Sequence, residues 1–256
     1  MGFLKGKKIL ITGISSKRSI AFEIAKSMYG LKAELGFICQ NEKICNKMKT
    51  SLDAMKSSFI FTCDFRNDEN IKKMCFNLSQ VWKNFDGLIH AIAYCPKKLL
   101  YGDFIDQTTR EGFNISHEIS CYSFLGLIKQ CRKFLKHGSS LLTLSYLGAQ
   151  RVIPNYNIMG LAKASLEANV RYLAYTLGKN NIRVNAISSG PIKTISSYSI
   201  KNFNEIKQHH YKSALIQNSI TSKNIANVAS FLLSDLSIGI TGSVIYVDNG
   251  FHVSSI

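Results

Sequence analysis

Two residues at a fixed spacing carry the sharpest chemical signal in this chain. In Pro154-Asn-Tyr156-Asn-Ile-Met-Gly-Leu-Ala-Lys163, the phenol precedes the amine by seven positions. On an α-helix that separation is about 700°, so both side chains project from nearly one face, two turns apart. A lysine near a phenol lowers its pKa and can hold a ligand's hydroxyl groups at the same time. A second tyrosine, Tyr146 in Leu144-Ser-Tyr-Leu-Gly-Ala149, lies ten residues upstream. Tyr175 and Lys179 form a tighter pair, but Lys179 stands four residues before a strand-like run, at the far end of the same helical segment. A working pair belongs near the carboxyl ends of the strands and so near its helix start; Lys179 suits the negative pole of a helix C-terminus instead.

The elements that must position these groups alternate along the whole chain. Apolar, strand-like runs fall at Lys8–Thr12, Glu34–Cys39, Phe59–Cys63, Gly87–Ala91, Ser140–Leu144, Arg183–Ile187 and Ser243–Val247. Helix-length segments lie between them, among them Ser19–Tyr29, Glu69–Trp82, Tyr122–Leu135, Asn155–Leu177 and Ser222–Leu233. Near-continuous apolar strands separated by helices predict a parallel sheet covered on both faces. The expected fold is α/β: one Rossmann-type, doubly wound domain of about seven strands spanning residues 1–256. One stretch, about 193–221, breaks the rhythm between the sixth and seventh strands. It is polar and lysine-bearing (Lys193, Lys201, Lys207 and Lys212, with Lys223 at its edge) against a single acid, Glu205. At the carboxyl edge of the sheet it would overhang the ligand crevice as a mobile lid.

The first strand ends in Thr12-Gly13 and a helix opens at Ser19-Ile20. A strand, a glycine turn and a helix start present backbone N–H groups to a pyrophosphate. The loop carries no further glycine before Gly30, so the G-x-G-x-x-G fingerprint is absent. Gly13 supplies the turn, and Ser19 can cap the helix and offer a hydroxyl to phosphate. After the second strand, Gln40 can bond a ribose diol and brings no positive charge for a 2′-phosphate. That leans towards NAD(H), tempered by Lys43 nearby. After the third strand, Asp64-Phe65 suits the side of an adenine ring, with a helix-cap role for Asp64 as the plainer alternative.

Taken together, these residues resemble the short-chain dehydrogenase/reductase superfamily. The wider Tyr-x6-Lys spacing, the second tyrosine, the glycine-poor loop and Gln40 resemble its bacterial NADH-dependent enoyl-[acyl-carrier-protein] reductases. The likeness runs from Met1-Gly-Phe-Leu4 to Val247-Asp-Asn-Gly-Phe251, with Thr109–Phe113 and Asn155–Tyr172 close to the family text. It implies NADH/NAD+ as cofactor and hydride delivery to C3 of a trans-2-enoyl thioester. Tyr156 would stabilise the resulting charge on the thioester oxygen, and Lys163 would hold the nicotinamide ribose. It implies that Tyr146 and Tyr156 both touch substrate and exchange protons, and that Ile92 lies under the nicotinamide. Ile192, Lys193, Thr194, Ile195 and Ser196 become cofactor neighbours, and Cys95 a substrate neighbour. The chain departs from the common pattern at Ala93, Cys95 and Asn249, where glycine, alanine and glycine are usual. The spacing has a chemical reading too: three residues of helix move a tyrosine by roughly 4.5 Å, the scale separating a β-carbon acceptor from a carbonyl. A 3-oxoacyl or other carbonyl reductase, and a dinucleotide-sensing scaffold without turnover, are the alternatives.

Composition bounds the rest. The 256 residues are 46% hydrophobic with three prolines, enough for a full core and unlike a disordered chain. The formal charge of +16 comes from 25 Lys and 7 Arg against 16 acids, spread along the chain. Arginine poverty argues against a nucleic-acid surface, while a lysine rim would steer an acidic acyl carrier protein. No run approaches 18 apolar residues and no signal-peptide core is present, so neither membrane insertion nor export is expected. Seven cysteines without a C-x-x-C pair fit a reducing cytoplasm. Cys39 and Cys63 are expected in the core, His90 and His117 as packing or capping residues, and His209 and His210 in solvent. No ligand spacing suggests a metal. The resemblance further implies a homotetramer.

Overall fold

Strand side chains alternate between faces, and every apolar run here uses both. In the computed structural model, which describes residues 2–195 and 197–254, these runs form one parallel sheet. Its strands are β1 (Lys8–Thr12), β2 (Glu34–Cys39), β3 (Phe59–Thr62), β4 (Phe85–His90), β5 (Leu135–Tyr146), β6 (Arg183–Ser189) and β7 (Val244–Val247). Their order is β3-β2-β1-β4-β5-β6-β7. The helices are α1 (Ile20–Gly30), α2 (Glu42–Asp53), α3 (Asp68–Val81), α4 (Phe104–Gln107), α5 (Arg110–His117), α6 (Ser123–Cys131), α7 (Ile158–Leu177), α8 (Phe203–Ser213) and α9 (Ser222–Leu232).

The alternation sorts the core into two layers. Ile9, Ile11, Phe37, Ile89 and Leu142 pack with α1 and α9 on one face. Leu10, Ile38, Leu88, Leu141 and Val184 pack with α3, α6 and α7 on the other. This is the doubly wound architecture the alternation predicts. Cys39 and Cys63 are buried in it, and all seven cysteines are free thiols.

Three regions differ from expectation by three residues or more. β5 starts at Leu135, which pairs with Phe85 ahead of a register shift, so the preceding helix stops at Cys131. That helix also begins earlier: α5 runs through a π-helical turn, Glu118–Tyr122, into α6. Along α5 only Gly112 and Ser116 are buried, leaving almost no apolar periodicity to read. Most consequentially, α7 starts at Ile158 rather than Asn155. Asn155 and Asn157 have φ of 61° and 40°, outside the helical region. Tyr156 therefore stands in a turn before the helix, and the seven-residue helical argument does not describe its direction.

Candidate active site

The strand order reverses between β1 and β4, and there the two halves of the sheet leave a crevice at their carboxyl ends. Gly13 closes β1 at this point with φ 81°, and a Cβ on it would lie 2.0 Å from the Ala91 carbonyl oxygen. Both facts demand glycine. The helix that follows is capped by Ser19, whose Oγ accepts from the Phe22 N–H (3.3 Å) and donates to the Ser16 carbonyl (2.8 Å). The crevice has a volume of about 470 Å³.

At one end it is lined by Gly13, Ser19, Ile20, Gln40, Asp64 and Phe65. A glycine turn, a capped helix start and polar groups beyond β2 and β3 suit a dinucleotide's pyrophosphate and adenosine. Asp64 is not a helix cap; Asn67 caps α3. Its carboxylate instead accepts from the Arg66 guanidinium at 3.0 and 3.1 Å, which holds its pKa below the ordinary aspartate value. Arg66, also on the lining, was not anticipated.

The other end gathers Ile92, Cys95, Tyr146, Tyr156 and Lys163. The two tyrosine rings meet edge to face, centroids 4.9 Å apart. Burial raises both phenols, Tyr146 to about 12 and Tyr156 further, with Tyr146 and Cys95 adding to the latter. The expected lowering by lysine is thus not found, and the Tyr156 phenol stays protonated at neutral pH. Lys163 is buried on α7, and its Nζ donates to the Leu144 carbonyl at 2.7 Å. Burial lowers its pKa to about 8, opposed by Cys121 and by Glu167 one helical turn on. Glu167 is itself buried and accepts from Ser145 Oγ.

The floor is braced by residues that sequence reading placed in packing roles or missed. His90 is buried at the end of β4, Nδ1 to Thr143 Oγ1 (2.9 Å) and Nε2 to Ser123 Oγ (2.8 Å), its pKa lowered by burial to about 3. His117 stacks on Phe113 at 4.0 Å. The π-helical turn brings Ile119 to the lining, and Ser120 Oγ accepts from the Tyr94 N–H and donates to the Tyr94 carbonyl, both at 3.0 Å. That pins the Ile92–Cys95 loop. Extra residues in a helix of this kind leave no one-dimensional signature, though such turns recur at functional sites.

Of the segment after β6, Ile192 and Thr194 line the crevice. Lys193 and Ile195 are exposed and lie outside the lining, with Lys193 Nζ over the Tyr198 ring at 5.3 Å. Ser196 falls outside the described residues. The polar stretch beyond is partly helical: α8 brings Phe203 to the crevice. His209 is exposed as expected, but His210 is buried at 3% exposure, against expectation, because its ring turns inward onto Phe251 and Gly190.

Comparison with known proteins agrees over the full chain. The family model described as "Enoyl-(Acyl carrier protein) reductase" matches residues 13–252. An enoyl-[acyl-carrier-protein] reductase [NADH] of Buchnera aphidicola subsp. Acyrthosiphon pisum is 72% identical over 255 residues, covering 100% of this chain and 98% of the relative. The crystal structure of enoyl-[acyl-carrier-protein] reductase (NADH) from Aquifex aeolicus superposes with a TM-score of 0.96 at 40% identity, covering 100% of both chains. The enzyme from Anaplasma phagocytophilum in complex with NAD gives 0.93 at 35% identity, covering 99% of this chain and 95% of that one.

Proposed function

The chain belongs to the enoyl-(acyl carrier protein) reductase family, and on that footing we propose that Tyr156, Tyr146 and Lys163 carry its reaction. The protein reduces the C2–C3 double bond of enoyl-[acyl-carrier-protein] thioesters with NADH, in fatty-acid synthesis. The observation that carries the residue assignment is the meeting of two buried phenols and a buried lysine at one end of a dinucleotide-sized crevice.

The residues fit the cofactor. Gly13, Ser19 and Ile20 would hold the pyrophosphate, Gln40 the adenosine ribose, Asp64 and Phe65 the adenine side. Ile92, Lys163, Ile192 and Thr194 would hold the nicotinamide end. When bound, NADH supplies the hydride. Tyr156 donates a hydrogen bond to the thioester oxygen as negative charge develops there, the work of an oxyanion hole in a dry site. Its raised pKa keeps the proton on the phenol until that charge appears. Tyr146 packs against it and fixes the ring, and Cys95 borders the acyl group. Lys163, with one proton on the Leu144 carbonyl, turns the others towards the ribose hydroxyls and lends positive potential.

The carrier protein meets the rim formed by Lys193, Lys201, Lys207 and Lys212 around α8, which acts as the lid of a single domain spanning the chain. The enzyme works as a homotetramer, supported by exposed apolar side chains on and between α5, α6 and α7 such as Phe113, Tyr122, Leu125 and Tyr172. Free thiols support a cytoplasmic setting, and among the described residues no helix is long and apolar enough to cross a membrane. The test is NADH oxidation at about 340 nm with an enoyl thioester beside the matching 3-oxoacyl thioester. Turnover of the enoyl substrate alone is expected. Turnover of the oxo substrate alone would make the protein a carbonyl reductase.

A further inference from the structure

Helix α8 is weakly anchored for an element that closes the crevice. Asn202 before it has φ 58° and provides no side-chain cap, so its first N–H groups are served only by the Asn202 backbone carbonyl, which accepts from Glu205 and Ile206. Of its residues only Phe203 and His210 are buried. Phe203 reaches the crevice, and His210 is the second buried attachment to the body of the protein.

That attachment joins three segments. The His210 ring lies 4.8 Å from the Phe251 ring, centroid to centroid, in the turn after β7. Its Nε2 has no hydrogen-bond partner among the described residues. A Cβ on Gly190 would lie 2.9 Å from that nitrogen, so the ring edge abuts the backbone of Ser189–Ile192, which lines the crevice.

We propose that His210 is a positioning residue: its neutral imidazole, wedged between Gly190 and Phe251, latches α8 over the acyl end of the crevice. The inference rests on the reading of that crevice given above. A proton on Nε2 would place a charge and an unpaired donor against backbone, and a buried charge without a partner is costly. The nearest carboxylates are engaged elsewhere, although Asp248 still favours the charged form. The Asp248 carboxylate is already taken by the Gly250 and His252 N–H groups and by the His252 ring. Glu205 and His209 from α8 and Arg151 after β5 line the same cavity of about 520 Å³, but Glu205 accepts from Asn202 at 3.1 Å. Burial accordingly lowers the His210 pKa, helped by His209 and opposed by Asp248. With the closed-state pKa below the ordinary value of about 6.5, the open state binds more protons as pH falls past that value, so the latch loosens towards acid.

The experiment is hydrogen exchange of the α8 amides in the full chain with NADH, at pH 7.5 and 5.5, corrected for intrinsic rates, beside steady-state kinetics. In the wild type, protection of α8 falls several-fold at the lower pH, because the open state binds more protons there, and KM for the enoyl thioester rises with it. His210→Ala loses the protection at both pH values and raises that KM more than it lowers kcat. His210→Gln, neutral and of similar reach, restores protection and makes it independent of pH. Equal α8 protection in wild type and His210→Ala at pH 7.5 overturns the latch. So does a wild-type pH response retained in His210→Gln, which decides the matter even if the alanine variant does not fold. A wild-type protein without enoyl turnover would refute the reading of the crevice, while the exchange data would still decide the latch.

Discussion

Tyr146 and Tyr156 cross edge to face at 69° with ring centroids 4.9 Å apart, and Gly148 is what lets them. A Cβ at Gly148 would lie 2.4 Å from Cδ1 of Tyr156 and 3.4 Å from Cδ1 of Tyr146. The two phenols therefore form one packed unit at the end of β5, and their roles separate by chemistry rather than by place.

Removing the Tyr156 hydroxyl alone tests that division. Tyr156→Phe keeps the ring contact and deletes the donor, so kcat/KM for enoyl thioester falls by about 10²–10³, the usual cost of one oxyanion-hole donor. Tyr146→Phe should cost less than about tenfold, since packing survives. Wild-type turnover in Tyr156→Phe on every enoyl substrate would remove Tyr156 from the mechanism.

Lys163 predicts opposite pH trends in activity and stability. Its proton leaves the folded chain at about 8 and an unfolded chain at about 10.4. Between those values the unfolded chain binds more protons, so the contribution of Lys163 to stability rises with pH, by roughly 3 kcal/mol in total. It is read as the difference between wild type and Lys163→Met, because buried thiols such as Cys39 and Cys63 titrate with the opposite sign. Over the same range kcat/KM should fall as the charge proposed to face the ribose is lost. Urea melts and kinetics between pH 7 and 10 check both limbs, and Lys163→Met should abolish the rise in stability. Parallel trends would assign the alkaline limb to another group.

Gly13 carries the turn proposed to hold the cofactor. Gly13→Ala meets both a positive φ and the Ala91 carbonyl, so the strand-to-helix turn must move. NADH affinity, read by fluorescence titration, should weaken by at least about tenfold, while melting cost stays within about 1–3 kcal/mol. Unchanged NADH affinity would place the pyrophosphate elsewhere.

The lysine rim should matter only for the carrier. Lys201 is exposed just before α8 and Lys207 half-buried on it. Reversing both to glutamate should raise KM for carrier-bound substrate several-fold at low salt and leave a small thioester unaffected, since the effect is steering. An equal rise for both substrates would point to damage in α8 instead.

Much of this protein is written locally. Each strand is an apolar run bounded by turn residues, and β1 and β2 coincide with their runs because side-chain alternation and burial on both faces leave little freedom. Gly13, Ser19, Tyr146, Tyr156 and Lys163, all on the crevice lining, stand out by type and spacing, and the seven-strand doubly wound sheet follows from the alternation of elements. Tertiary structure decided what depends on distant partners. Strand order put Gly13 against Ala91 and so located the crevice. Two asparagines with positive φ moved Tyr156 off the helix, although its spacing to Lys163 reads as helical. Burial then raised a phenol that sequence logic expected to be lowered, and drew in a histidine expected in solvent. Periodicity reports which face of an element is apolar, but the desolvation felt by one side chain is set by elements far away in the chain, and no local pattern encodes it.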